Sequence, residues 1–454
     1  MKLVKLSLVA ALAAGAFGAL EAKSLEEAIK NVDVSGYAHY RFDQASVSKN
    51  ADADFQFLSI DSTNRPHRFR AFVTTAIDAG DGFKLVGQVM YNNDRNGGWA
   101  DATASDATAQ AGLTSTKNAI VLKQAYVQYD AADLGVSVLF GKQQLGTIWT
   151  DDLTGIAAKV LVNPTDGLTI AAFGVDSFQG SGMNDIDNGD IDAAPLDYLG
   201  LNAYSKNMYG AAVLANFAGL DAQVWGAYWD KVATLYAVNL KYTLGLGDAS
   251  NVGIKATYLG NAVASDLKDD ARALDPTDPI NIGNGNLIDG RLFANFGGLD
   301  ARLGGIFYGA KDKTTINTLE DISGPDLYIG REMFYTDDSA LVYSKGQNVF
   351  GYVGVGYTLP MDLRIGVQGV FGQNTQEKGA GIDDRKDTRI EGVFELGYKV
   401  NKNLSFEGYY SYLNSKVKNG AYGKLGADGK VDTSVAGKDT QNKQTVRLQA
   451  LYKF

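Results

Sequence analysis

The final ten residues, Thr445–Phe454 (TVRLQALYKF), alternate without a break. Val446, Leu448, Ala450, Tyr452 and Phe454 form one apolar face, and Thr445, Arg447, Gln449, Leu451 and Lys453 form a mostly polar one. A strict period of two is the signature of a β-strand. A tilted strand of about ten residues is long enough to cross the hydrocarbon core of a bilayer. One greasy face and one wet face suit a barrel wall between lipid and a water-filled lumen. A strand of a soluble sandwich alternates too, so the rest of the chain has to decide.

The same pattern opens the chain after its leader. Val32, Val34, Gly36, Ala38, Tyr40 and Phe42 share one face, and Asp33, Ser35, Tyr37, His39 and Arg41 share the other. Eight hairpins lie between these two ends: 67–78/83–92, 119–129/135–144, 156–162/167–176, 208–217/220–229, 232–243/251–259, 290–297/299–308, 348–358/362–373 and 388–400/403–413. Their turns (DAGDG, NPTDG, GG and NKN among them) carry the Gly, Asn, Asp and Pro that tight turns require. Longer polar segments separate the hairpins: 44–66, 93–118, 145–155, 177–207, 260–289, 309–347, 374–387 and 414–442, with a brief 230–231. One opening strand, eight hairpins and one closing strand predict an all-β, 18-stranded antiparallel transmembrane β-barrel. Short turns then fall at the periplasmic end and long loops at the extracellular end. An even strand number lets the first and last strands pair and removes the sheet edges. Tyr91, Tyr129, Tyr228, Tyr242, Tyr258, Phe307, Tyr357, Phe371, Tyr398 and Tyr412 sit near strand ends on the apolar phase, as interfacial girdles do.

Residues 1–22 read as a secretory signal peptide: Lys2 and Lys5, the apolar run Leu6–Ala14, then small residues to Ala22. The expected organisation is therefore a signal peptide at 1–22 and a barrel at 23–454, exported to the outer membrane of a Gram-negative cell and surrounded by its lipid. The absence of Cys suits passage through an oxidising compartment. A net charge of −10 argues against a nucleic-acid partner.

The polar phase carries Arg41, Arg68, Arg70, Lys84, Lys142, Lys255, Arg302, Arg364, Arg389 and Arg447, which in a barrel line the lumen. Acidic residues gather in the loops instead, at Asp151–Asp152, at Asp185, Asp187, Asp190 and Asp192, and at Glu320–Asp321. A basic wall opposite acidic loops sets a field across a constriction, and excess carboxylates favour cations. A lumen of this size needs a loop folded inward to narrow it. The candidate is Leu145–Gly155 (LGTIWTDDLTG), with Ile148 and Trp149 as anchors to the wall. A constriction of Asp151 and Asp152 faced by Arg41, Arg68, Arg70, Lys142, Arg302, Arg364, Arg389 and Arg447 is expected. Catalysis is not: the only histidines are His39 and His67, without metal-ligand spacing or a Ser/His/Asp arrangement. The chain reads as a general diffusion porin for small hydrophilic solutes and ions. The alternative is a surface adhesin or structural barrel that binds host or envelope molecules through its long loops.

Several segments together resemble the campylobacterial major outer membrane porin family: Met1–Ala16 (MKLVKLSLVAALAAGA), Leu25–Ser35 (LEEAIKNVDVS), Gly141–Asp151 (GKQQLGTIWTD), Ala171–Phe178 (AAFGVDSF), Trp225–Val238 (WGAYWDKVATLYAV), Asn348–Thr358 (NVFGYVGVGYT) and Thr445–Phe454. The resemblance implies an 18-stranded barrel, a homotrimer, and passage of small hydrophilic solutes with cation preference. It also implies a Ca²⁺ ion at the constriction. The matching ligands are Asp151, Asp185, the Asp187 backbone and Glu320, with Asp151 and Asp152 competing for one role. Hard cations take several oxygens, which carboxylates from separate loops can supply.

Overall fold

The computed structural model describes residues 32–49, 58, 67–93, 118–179, 203–247, 249–274, 281–320, 326–328, 330–333, 339–377, 384–418, 424–425, 431–432 and 439–454. Eighteen long strands run through them in chain order. They are β1 (Val32–Lys49), β2 (His67–Gly80), β3 (Phe83–Asn93), β4 (Asn118–Ala131), β5 (Val136–Gln144) and β6 (Thr154–Thr165). Next come β7 (Leu168–Phe178), β8 (Met208–Phe217), β9 (Leu220–Trp229), β10 (Ala233–Gly245), β11 (Ser250–Val263) and β12 (Asn286–Phe296). The last are β13 (Leu299–Thr315), β14 (Ser344–Thr358), β15 (Leu363–Gln376), β16 (Arg385–Lys399), β17 (Leu404–Lys418) and β18 (Asp439–Lys453). Each pairs antiparallel with its neighbours in sequence, and β1 pairs with β18, so the sheet closes. In lipid every backbone polar group must be satisfied within the protein, and a closed ladder does that without an edge.

The seam is tightly specified. Tyr37 lies opposite Lys453 and Lys49 opposite Gln441. Beyond the ladder, Gly36 and Phe454 exchange backbone hydrogen bonds of 3.1 Å in both directions. A Cβ at position 36 would collide with the Phe72 carbonyl and the Phe454 ring, so only glycine fits.

The two faces separate as alternation demands. Val34, Leu85, Ile120, Val224, Ile254, Leu303, Phe371, Ile390 and Leu448 are exposed on the outside. Tyr228, Tyr242, Tyr357, Tyr398 and Tyr412 join them towards the strand ends. The other phase turns inward and is rich in charge, yet Asp43, Asp289, Asp387, Arg389 and Glu391 there are almost wholly buried. Inward-folded loops cover them. Strands on the long-loop side extend past their predicted ends: β13 continues to Thr315, with a register shift between Ala310 and Thr314. Above the hydrocarbon both faces meet polar surroundings, so the ladder continues while apolar alternation fades. The segment after β11 also contains a helix, Ser265–Leu274, which buries Leu267 and Ala271, and a two-residue strand, Ile282–Gly283, parallel to the end of β13.

Candidate functional site in the barrel lumen

The loop after β5 turns inward. Leu145 N–H donates to the Leu153 carbonyl at 2.8 Å, closing residues 145–153 into a compact unit. Ile148, Trp149 and Leu153 are buried, and the Trp149 ring meets Trp225 of β9 edge-on at 6.1 Å. Trp225 shares the inward phase of its strand with Trp229. An aromatic anchor thus holds the loop against the lumen wall while Asp151 at its acidic tip stays exposed and Asp152 is half-buried.

A second loop, 316–343, reaches further. It starts beside the first: Leu319 N–H donates to the Trp149 carbonyl at 2.9 Å, and Asp151 N–H donates to the Glu320 carboxylate. Its later residues cross to other strands. Asp326 takes Arg291 Nη1 at 2.8 Å and Lys255 Nζ at 3.5 Å. The Tyr328 ring lies 3.9 Å from the Arg302 guanidinium and edge-on to Tyr352. Arg331 binds Glu395, with its Nε at 2.8 Å. Glu332 takes the Tyr409 hydroxyl at 2.9 Å and Lys443 at 2.8 Å. Between these side-chain ties the backbone itself is gripped. Glu391 of β16 accepts the N–H groups of Arg331, Glu332 and Met333 at 2.9, 3.0 and 3.1 Å, and the Ser411 hydroxyl at 2.7 Å. Gly330 precedes them at φ +90°, and a Cβ there would overlap the Glu391 carboxylate.

Sequence reading placed Glu320 at the constriction but missed the inward path of the rest of this loop, with Glu332 in it and Glu391 and Glu395 on the wall. The available signal was the set Leu327, Tyr328 and Met333, apolar residues inside an otherwise polar outer segment. Large apolar side chains in a loop indicate that it folds back on the protein. All three are buried.

The expected basic residues fall at several depths. Arg41 Nε contacts Asp43 at 2.5 Å, Arg447 reaches the same carboxylate, and Arg68 lies opposite Arg41 in register. Arg70 donates to the Tyr37 hydroxyl at 2.5 Å and lies 3.8 Å from Asp152. Arg364 clasps Asp300 at 2.7 and 3.0 Å and touches Glu395 at 3.3 Å, near the short-turn end. Arg389 is bound to Asp387 at 2.5 Å near the long-loop end. Arg302 donates to Gln368. Lys142 departs from the expectation. It pairs with Ala125 and with Ile156, an exposed outward residue, and shares the parity of Val138 and Phe140. Register therefore assigns it to the outer face. Towards the long-loop end of its strand, beyond the hydrocarbon, a charge is tolerated there.

The acidic corner is built from Asp151, Asp152 and Glu320. Asp152 is already neutralised by Lys123 Nζ at 2.5 Å. Lys123 escaped the sequence reading because it is the extra residue of a β-bulge: Gln88 pairs with Gln124 but Val89 with Leu122. Glu320 is pushed up to about 9, first by burial and then by the Asp152 charge, against hydrogen bonds from the Asp151 and Leu153 amides that favour its ionised form. Asp185 and Asp187 lie outside the described residues. Among the described residues, no group of three or more acidic or His side chains is arranged to hold a metal ion.

Known structures share this architecture. OpdQ of Pseudomonas aeruginosa superposes with a TM-score of 0.60 at 11% identity, covering 94% of this chain and 99% of its own. OccK9 (OpdG) of the same organism gives 0.59 at 13%, covering 94% and 100%. The outer membrane protein OpdK gives 0.58 at 15%, covering 92% and 99%. Identities this low speak for the fold alone. No curated relative matches the chain. The family profile described as Campylobacter major outer membrane protein matches residues 1–454. With its closed barrel and charged, loop-crossed lumen, the chain belongs to the Campylobacter major outer membrane protein family and is a porin of the outer membrane.

Proposed function

We propose that this porin passes small hydrophilic solutes and ions by passive diffusion with a preference for cations, and that it works as a homotrimer after losing residues 1–22. The observation that carries the reading is the pairing of the lumen charges. Arg41 and Arg447 are spent on Asp43, Arg389 on Asp387, Arg364 on Asp300 and Glu395, and Arg70 and Lys123 on Asp152. A paired cation contributes little net field at the distance of a passing ion. With those cations tied to carboxylates, the exposed Asp151 in a chain of net charge −10 supports a local field that favours cations at the acidic corner. No chemical step enters this reading. Flux into liposomes tests it: small sugars and K⁺ enter, and reversal potentials in a salt gradient favour the cation. A barrel that reconstitutes but admits no sugar would instead support the adhesin or structural reading.

Calcium at the acidic corner belongs to the same proposal. Asp151 and Glu320 come from two loops drawn into hydrogen-bond contact, and both offer the carboxylate oxygens that a hard cation takes. Glu320 holds its proton because burial and a neighbouring carboxylate oppose its charge, and a divalent ion would relieve both. The ion pair of Asp152 with Lys123 favours Asp151 as the ligand of the two. Asp185 and the Asp187 backbone would supply the remaining oxygens.

A further inference from the structure

The wall from β9 to β13 holds an uncommon concentration of cations. Lys241 of β10 lies opposite Lys255 of β11, and Lys255 lies opposite Arg291 of β12. Like charges placed directly opposite on neighbouring strands repel and weaken a sheet. Asp326, sent in by the second loop, serves Lys255 and Arg291. It does not serve Lys241. That ammonium has Asp221 as its register partner, but Asp221 accepts the Asn216 amide, and Lys241 Nζ instead lies 5.6 Å from the centre of the Phe293 ring. On the other side of the same ring, Arg302 of β13 is the register partner of Phe293. Arg302 donates to neutral Gln368 and stacks on Tyr328. Among the described residues neither Lys241 nor Arg302 has a carboxylate partner.

Both cations and the ring line one cavity of about 500 Å³. Asn295 and Asp300, beside the short turn of β12 and β13, place it on the periplasmic side of the inward loops. Three carboxylates line it as well, Asp221, Asp300 and Asp326, but Asp300 is taken by Arg364 and Asp326 by Arg291, so the cations Lys241, Lys255, Arg291 and Arg302 outnumber them. An aromatic face in a cavity where cations outnumber carboxylates is complementary to a small anion with a flat apolar body. A low-dielectric wall strengthens that attraction over its value in open water.

We propose that this cavity is a binding subsite for small organic carboxylates, held by Lys241 and Arg302 on either side of Phe293. It rests on the channel reading and adds a solute class to it. The subsite is distinct from the acidic corner, so bulk cation preference and local carboxylate capture coexist along one path.

The test uses the full chain in planar bilayers, with benzoate and its neutral counterpart benzyl alcohol added on the periplasmic side. Benzoate is expected to reduce the current saturably and benzyl alcohol is not. In Lys241→Gln/Arg302→Gln the half-blocking concentration rises about tenfold or more, the loss expected for hydrogen bonds to charged groups. Lys241→Arg/Arg302→Lys, which keeps both charges, retains the block. If the neutralised variant does not assemble, the wild-type channel decides through salt. The block weakens between about 0.1 M and about 1 M KCl, as the screening length falls from roughly 10 Å to 3 Å. Equal action of benzoate and benzyl alcohol, or an unchanged half-blocking concentration in the neutralised variant, overturns the subsite while leaving the porin intact. A wild-type chain that inserts and carries no current overturns both.

Discussion

Glu391→Ala tests how the second loop is kept in the lumen. The carboxylate accepts three consecutive backbone N–H groups and one hydroxyl. Truncation removes all four contacts. A buried donor left without a partner costs ~1–3 kcal/mol. Lumen water reaches the amides once the carboxylate is gone, and Ser411 can rotate, so the low end applies and the three amides together lose ~3 kcal/mol. At about 1.4 kcal/mol per factor of ten, that shifts the balance between held and released backbone roughly a hundredfold. Asp326, Arg331 and Glu332 keep their own side-chain partners, so the loop is expected to open transiently rather than leave. Amide hydrogen exchange at 331–333 should accelerate by about that hundredfold, and single-channel records should show brief excursions to higher conductance. Gly330→Ala should produce the same phenotype by pushing from the other side, because its φ of +90° and its contact with Glu391 admit no Cβ. Unchanged exchange and an unchanged current in Glu391→Ala would show that the carboxylate does not hold the loop.

Four further outcomes are expected. Leu448→Lys should lower the heat resistance of the barrel more than Gln449→Lys, since Leu448 is 53% exposed on the outer face and a Lys near mid-membrane costs about 2–4 kcal/mol; equal tolerance would contradict the face assignment. Asp151→Asn should lower the cation-to-anion permeability ratio more than Asp384→Asn, because Asp384 sits in an outer loop against Lys311 at 3.3 Å; equal shifts in reversal potential would remove Asp151 from the constriction. Glu320 titrates near 9 when folded against 4.5 ordinarily, so the folded state holds an extra proton between those values. Its contribution to stability is full below about 4.5 and declines as pH rises towards 9, and Glu320→Gln should flatten that part of the melting-versus-pH curve. Chelation should lower the temperature at which the proposed trimer dissociates, and added Ca²⁺ should restore about 2.7 kcal/mol at a hundredfold excess over Kd, with Mg²⁺ much less effective; melting that ignores both would leave Asp151 a charged corner residue without a metal.

The barrel was legible because its signal is local. Alternation from Val32 to Phe42 or from Thr445 to Phe454 needs only the residues themselves, and all eighteen strands lie where it predicts them. The lumen was less legible because its contacts are not local. Glu391 grips a backbone about sixty positions away, and Asp43 receives Arg447 from the opposite end of the chain. Nothing near Glu391 in sequence announces either partner. Lys142 and Lys123 failed for a different reason. Charge was read as lumen phase, whereas parity puts Lys142 outside, and a bulge brings Lys123 inside. Ile148 and Trp149 were identifiable because bulky apolar residues in a short polar loop have few places to go.

The reciprocal bonds between Gly36 and Phe454 act as an index mark. The seam joins side chains as far apart in sequence as His39 and Gln449, 410 positions away, so it can close only after the intervening wall is laid. Closure entropy rises only logarithmically with that distance, which makes the wait affordable. The hazard is misalignment: a slip of one residue would turn every side chain of β18 to the wrong medium. A slip of two would preserve the faces, and hydrophobicity alone would not detect it. It would, however, set the Phe454 ring against the Cβ of Val34 or Ala38 in place of the bare Cα of Gly36, over which it closely packs in the correct register. The chain thus carries its own vernier, a single missing Cβ that distinguishes the correct closure from the nearest one that lipid would accept.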